Sequence, residues 1–234
     1  MHLPDQFLSN QTSFILAAVS AGFLGQAFKN FFNSNFEKVK ILLPQIQTNI
    51  GQKFCSPEFL TKFRAKNQAN KKVEQLALVA SFIFALQMLN FPVQYGTSGH
   101  FLGGVLAAVV LGPWTGLLAI ASVLAVQSLV FSDGGIIALG ANIFNMGIIG
   151  VLFSFLIYSY IYQKSHNKFL AIGLASWLSV VLAATACSVE LGLSGNISFN
   201  LVFWAMLKVH VLIGLAEAII TIFAIKLFFY EKTE

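Results

Sequence analysis

Runs of apolar residues at 11–32, 74–91, 101–112, 114–132, 136–162, 169–191 and 202–229 limit the possible folds of this chain more than any other feature. Most approach the length of about 20 residues that one helix needs to cross the hydrocarbon of a bilayer. With 57% of the 234 residues apolar and 10% charged, a single soluble core could not bury the excess. In lipid every backbone N–H and C=O needs a partner within the protein, which leaves helices or closed barrels. The runs do not alternate apolar and polar positions, so barrel strands are excluded. An all-α integral membrane protein with about seven transmembrane helices is predicted, one membrane domain over residues 1–234, multi-pass in the cell membrane. The run at 101–112 is too short to cross alone, and Gly103, Gly104, Gly112 and Pro113 around it predict a tilted or partial helix. Small residues, as in Gly112-Pro-Trp-Thr-Gly116 and Gly147-Ile-Ile-Gly150, permit close helix contact.

Charge placement predicts orientation. Lys38, Lys40, Lys53, Lys62, Arg64, Lys66, Lys71 and Lys72 lie between the first two runs, Lys164 and Lys168 between the fifth and sixth, and Lys232 after the last. Residues 1–10, 92–100, 133–135 and 192–200 carry no lysine or arginine. The positive-inside rule then puts the N-terminus outside, the C-terminus in the cytoplasm, and residues 34–73 in a cytoplasmic loop insertion. The net charge of +5 follows from this topology, and without a compact basic domain no nucleic-acid partner is expected. Cys55 and Cys187 have no metal-finger spacing and are expected as free thiols. Residues 1–10 lack a basic signal-peptide start, so Met1 is expected to be the mature first residue.

Three of the four histidines, His2, His100 and His210, fall on the predicted outer half, and His166 falls in a solvated cytoplasmic loop. Ionisable groups at membrane depth are costly and usually functional. A free α-amine followed by histidine can chelate a metal through the amine, the deprotonated amide nitrogen of residue 2 and the imidazole. That set is nearly planar and all-nitrogen, a geometry that suits Ni(II) or Cu(II). Met-His alone is more often accidental than functional. His100 ends the break Asn90-Phe-Pro-Val-Gln-Tyr-Gly-Thr-Ser-Gly-His100, where it can supply a fourth nitrogen or be a hydrogen-bonded loop histidine. His210 and Glu217, seven apart, share one face of the last helix, either bracing the ligands or forming an interhelical polar pair. Asn142 and Asn145, at i and i+3, can brace the N-terminal segment, as can Ser98, and Lys208 is expected to snorkel.

Met1-His-Leu-Pro-Asp5 with Phe7-Leu8, Asn90-Phe-Pro-Val93, Gly96-Thr-Ser-Gly-His100, Leu111-Gly-Pro-Trp114, Asp133-Gly-Gly135, Leu139-Gly-Ala-Asn-Ile-Phe-Asn-Met-Gly147 and His210-Val-Leu-Ile-Gly-Leu-Ala-Glu217 occur in this order. Together they resemble the NikM/CbiM family, the substrate-capture components of energy-coupling factor (ECF) transporters for nickel and cobalt. The resemblance covers nearly the whole chain except 34–73. It implies a metal ion held as transported substrate by the Met1 amine, the His2 amide and imidazole, and His100, with the N-terminal segment folded inward as a plug. It also implies a transmembrane coupling subunit, cytoplasmic ATPase subunits and a small accessory membrane protein as partners. This chain has Gln6 where the family usually has glycine. Its start at Met-His and its Gly-Thr-Ser-Gly-His element lean towards Ni2+, with Co2+ for cobalamin biosynthesis as the alternative.

No P-loop motif is present, so ATP hydrolysis is expected from another subunit. Two other readings compete: an intramembrane metalloenzyme built on His100, His210 and Glu217, which lacks the paired motifs of known metalloproteases, and a passive channel. Nitrogen ligands must be unprotonated to bind a metal, so capture is expected to weaken as pH falls through the histidine range, measured as apparent affinity at stepped pH.

Overall fold

The computed structural model describes the backbone of residues 2–40, 57–94 and 98–229, and the side chains of 2–33, 72–94 and 98–227. Met1, Cys55, Gly96, Thr97 and the middle of the expected insertion, 41–56, lie outside the described residues.

Helix α1 (Asn10–Lys40) starts where the Ser9 hydroxyl accepts the Thr12 amide at 3.2 Å, the N-cap arrangement. Helix α2 (Pro57–Gln87) carries proline at its first position, where a missing N–H costs nothing. Residues 34–40 and 57–73, expected as loop, are therefore helical. The reason lies in composition: residues 58–91 contain no glycine or proline, and the lysines, glutamines and alanines of this stretch are good helix formers in water. A short antiparallel pair, β1 (Phe91–Pro92) with β2 (Ser98–Gly99), follows. Helix α3 (Gly104–Leu111) has eight residues, and α4 (Pro113–Val130) begins after one intervening glycine. Gly112 sits at φ 83°, and this left-handed backbone lets the chain reverse between α3 and α4 in a single residue.

From Leu139 to Ser165 the chain is one continuous helical rod made of α5 (Leu139–Ile143), a ten-residue π-helix (Phe144–Phe153) and α6 (Ser154–Ser165). Helix α7 (Lys168–Leu193) starts with the Asn167 side chain accepting the Leu170 amide at 3.0 Å. It packs along most of its length against α8 (Phe199–Ala224), which ends in a π turn (Ile225–Phe229).

Among the described residues five helices are long and apolar enough to cross a membrane: Asn10–Asn33, Pro113–Val130, Leu139–Ser165, Lys168–Leu193 and Phe199–Leu227. The expectation of about seven spans rests further on the run at 74–91, which α2 covers as far as Gln87, and on 101–112, which contains the eight-residue α3. The molecule is a mostly helical, multi-pass membrane protein. Its core, including Leu106, Leu117, Ile120 and Met146, is as apolar as the outward surface, where Phe14, Leu156, Ile219 and Phe223 are exposed.

With lipid outside, close packing has to hold the helices together. Helix α1 meets the start of α5 in this way: the Ser20 hydroxyl donates to the Gly140 carbonyl at 2.7 Å, and a β-carbon at 140 would overlap the backbone of Ala17. Gly140→Val is expected to destabilise the folded protein by about 1–3 kcal/mol through overpacking, read as a lowered melting temperature in detergent. Gly25→Ala, at a position where nothing approaches within 4 Å, is expected to be neutral or slightly stabilising.

Candidate metal centre

Residues 2–8 do not trail from α1 but tuck into the end of the bundle. His2 is only 4% exposed, Leu3 is fully buried and Leu8 is buried. An extended segment can be buried only if its backbone groups find partners, and the partners here come from residues 135–142 and from Asn196. Asn142 acts as a two-point clamp on Leu3, accepting its N–H at 2.9 Å and donating to its carbonyl at 3.3 Å. The Leu3 carbonyl also accepts the Gly135 amide at 2.9 Å. The Asp5 carboxylate accepts the Ile137 and Ala138 amides at 2.8 and 3.2 Å, at the start of the rod. Asn196, beyond α7, donates to the Phe7 carbonyl at 2.9 Å. The segment turns at Gln6, whose φ is 76°. The backbone thus takes the conformation that glycine would favour, and Gln6 makes the turn at a cost of roughly 1–2 kcal/mol.

This clamp presents His2 to His100. The His2 backbone N–H donates to His100 Nε2 at 3.0 Å across 98 residues of sequence, and the two rings lie 4.2 Å apart between centroids at 31°. His100 Nδ1 faces the Phe101 carbonyl at 3.1 Å, and a carbonyl can only accept, so the ring proton sits on Nδ1 and Nε2 offers its lone pair. A proton on the far nitrogen, donated to a carbonyl, is the orientation in which histidines ligate metals. His2 Nδ1 lies 3.1 Å from Asp133 Oδ1. That contact has the length of an ion pair without the alignment of a hydrogen bond, so neither ring nitrogen of His2 has a hydrogen-bond partner among the described residues. Burial lowers the His2 pKa against the opposing pull of Asp133, which favours the neutral ring. The His2 contact in turn holds the Asp133 carboxyl below its ordinary value.

The loop that carries His100 is fixed from below. Both oxygens of Glu217 on α8 accept backbone amides, Leu102 at 2.7 Å and Gly103 at 3.0 Å, while Gln87 donates to the Leu102 carbonyl at 2.8 Å. All of these groups are buried. Beside the plug a depression of about 810 Å³ is lined by His2, Asp5, Asn90, Ser98, Asp133 and neighbouring residues.

The structure therefore brings together His2, His100, Asn142, Glu217 and, at the rim, Ser98. Asn145 does not touch the plug: it donates to Glu190 on α7 at 2.7 Å. His210 and Glu217 do not pair with each other, since His210 Nδ1 faces the Met206 carbonyl at 2.7 Å. His166 is exposed and ends α6 in the left-handed conformation, and Lys208 is exposed. Cys187 is a buried free thiol. Sequence reasoning overlooked Gln87, Asn196 and Glu190. Gln87 and Glu190 carried a signal, a polar side chain within an apolar helix; Asn196 carried none. Asp5 and Asp133 stood in recurring motifs with no role assigned. Among the described residues no three His, Cys, Asp or Glu side chains converge at metal-binding spacing. The nitrogens that do meet are one imidazole, one backbone amide and the ring attached to that amide's own residue.

The profile of the family described as CbiM, "Cobalt uptake substrate-specific transmembrane region", matches residues 58–233. The chain belongs to the NikM/CbiM family. A putative fused nickel transport protein NikMN of Archaeoglobus fulgidus is 43% identical over 161 residues, 68% of this chain and 53% of the relative. A probable fused nickel transport protein LarMN of Lactiplantibacillus plantarum is 30% identical over 95% of this chain and 62% of its own length. A cobalt transport protein CbiM of Clostridioides difficile is 33% identical over 66% of this chain and 65% of its own. The chain thus spans about half to two thirds of the length of these curated relatives. A crystal structure described as a truncated transition metal transporter superimposes with a TM-score of 0.77 at 28% identity, covering 97% of each chain. These NikM/CbiM relatives are named as metal transport proteins and not as enzymes, so the metalloenzyme alternative finds no support in them.

The Asn142 clamp yields a direct expectation. Asn142→Leu leaves the buried Leu3 N–H without a partner, at a cost of about 1–3 kcal/mol, while the Leu3 carbonyl keeps the Gly135 amide. Hydrogen exchange at residues 2–8 is expected to rise while exchange in α7 and α8 stays unchanged.

Proposed function

We propose that this chain is the substrate-capture subunit of an ECF-type ABC importer for Ni2+. In this reading the ion is held by the Met1 amine, the amide nitrogen and imidazole of His2, and His100 Nε2. The observation that carries it is the 3.0 Å approach of the His2 amide to the lone pair of His100. Two nitrogens on opposite sides of a metal, each bonded at about 2 Å, stand roughly 4 Å apart. The amide proton thus occupies the line on which the ion would sit, and capture amounts to exchanging that proton for the metal with a small separation of the two residues. Only Nδ1 of His2 can close a ring with its own amide nitrogen, so its 3.1 Å contact with Asp133 would open as the ion is taken up, and the Asp133 carboxylate at the rim would pass the released proton to solvent.

The remaining assignments follow from the family resemblance and the charge pattern. The plug faces outward, the C-terminus lies in the cytoplasm, and a transmembrane coupling subunit with cytoplasmic ATPases supplies the energy. An outward site is then emptied inward by motion that those partners drive. Co2+ is the second reading, favoured by the relatives named as cobalt transport proteins.

Calorimetry on protein with its authentic first residue tests the proposal. His2→Ala and His100→Ala are each expected to lower Ni2+ affinity by at least roughly 100-fold, the scale of losing one ligand of four, whereas His166→Ala is expected to have no effect. One extra residue ahead of Met1 is expected to be almost as damaging as His2→Ala, because it moves the terminal amine away from the ring. Tight Ni2+ binding by the extended protein or by His100→Ala contradicts the proposal, and a large preference for Co2+ in the same titration shifts the substrate to the second reading.

A further inference from the structure

We propose that Gln127 on α4 is a positioning residue of the capture site, its side-chain oxygen accepting the proton on His2 Nε2 when Nδ1 of the same ring binds the metal ion. The inference rests on the capture site proposed above and adds the group that fixes the tautomer of its N-terminal imidazole.

Gln127 lies in the last turn of α4 and is completely buried. Its backbone carbonyl accepts the Phe131 amide at 3.1 Å and the Asp133 amide at 3.0 Å, so it closes the loop on which the His2 ring rests. Asp133 Oδ1 is 3.1 Å from His2 Nδ1, and a β-carbon at Gly134 would come within 3.5 Å of His2 Cδ2, the atom bonded to Nε2. The side chain of Gln127 approaches the same ring, near enough to interact with it but without the alignment of a hydrogen bond. Neither its oxygen nor its nitrogen has a hydrogen-bond partner among the described residues. A buried carboxamide with both atoms unsatisfied costs stability, and such an exception in a folded protein calls for a reason.

The chelate supplies the reason. With Nδ1 bonded to the ion, the neutral His2 ring carries its proton on Nε2. Both ring nitrogens are buried, and a buried N–H without an acceptor is costly. The polar side chains around the plug are otherwise engaged: Asn142 with both backbone groups of Leu3, and Asp5 with the amides of Ile137 and Ala138. Asp133 is a quarter exposed at the rim, where water competes for it, and its contact is with Nδ1. Gln127 is buried beside the ring with its oxygen not in use, and its carboxamide is free to turn that oxygen towards Nε2. His100 has the same support from the backbone, its far nitrogen donating to the Phe101 carbonyl at 3.1 Å. Gln127 gives the second ligand ring the equivalent partner, the arrangement that orients a ligating histidine.

The test uses the full chain with its authentic first residue, purified in detergent and titrated with Ni2+ chloride. Gln127→Met keeps the length and volume of the side chain and removes both polar atoms. Before Ni2+ is added, its melting temperature is expected to stay level or rise, because two unsatisfied groups leave the interior. Its Ni2+ affinity is expected to fall roughly 10–100-fold, the usual scale for removing the partner of a ligating histidine. Gln127→Glu keeps an acceptor and is expected to bind Ni2+ more tightly than Gln127→Met. In protein labelled with 15N and saturated with Ni2+, the His2 Nε2–H is expected as a slowly exchanging cross-peak that Gln127→Met loses and Asp133→Asn keeps. Unchanged Ni2+ affinity in Gln127→Met, equal losses in Gln127→Met and Gln127→Glu, or a His2 Nε2–H signal that survives Gln127→Met overturns the inference. A lower melting temperature or a failure to fold in Gln127→Met marks a packing role and overturns it as well. His100→Ala in the same titrations separates the two levels. If it still binds Ni2+ tightly, the capture site itself is wrong; if it loses Ni2+ while Gln127→Met binds as the unaltered chain does, only the role of Gln127 is wrong.

Discussion

The hydrogen bond from the His2 amide to His100 Nε2 is the contact on which the rest of this structure depends. It joins the first residues of the chain to a loop 98 residues away, and it does so with both rings buried. An extended peptide cannot enter such a place unless its polar backbone is satisfied throughout. That requirement accounts for Asn142 and Gly135 at Leu3, for the Ile137 amide on Asp5 and for Asn196 on Phe7, all bonded to the segment 3–7. The bundle is built to accept one short strand of its own sequence.

The partner loop is held with equal care. Glu217 is a fully buried carboxylate whose two oxygens both accept main-chain amides, so the residues after His100 are tied to α8, and Gln87 ties them to α2. Ionisable groups in a membrane interior are costly unless they are paired. Here the cost is offset by the two amides it satisfies, and the result is a histidine whose ring is fixed in tautomer and direction. Preorganisation of this kind lowers what binding would otherwise spend on ordering the site. Glu190 and Asn145, the other buried polar pair, lie one helical turn past the Asn142 clamp and hold the rod against α7.

Much of this architecture was legible in the sequence, and the reasons differ by element. The membrane class followed from apolar runs, because bilayer thickness sets a length that few soluble helices match. That His2 and His100 would meet was expected from the chelating potential of residues 1 and 2 and the loop ending in His100, and the two rings do lie 4.2 Å apart between centroids. Helix at residues 34–40 and 57–73 was not legible: charge was read as a loop, yet lysine, glutamine and alanine sustain a helix in water as well as they fill a loop. Asn145 was expected at the plug because i and i+3 share a helix face. The face is wide enough that Asn142 reaches Leu3 while Asn145 reaches Glu190. Gln6 shows the opposite case, in which a residue unfavourable to a turn still adopts it because the contacts on both sides, at Asp5 and Phe7, leave the backbone no other course.

The central claim is that the metal takes the place of the proton on the His2 amide. Planar four-nitrogen Ni2+ is diamagnetic, so nuclear magnetic resonance of protein labelled with 15N can follow that one amide during a Ni2+ titration. The account predicts that the His2 N–H cross-peak disappears in proportion to bound metal while the neighbouring Leu3 amide, clamped by Asn142, remains. A His2 amide proton that persists in the fully loaded protein would contradict it.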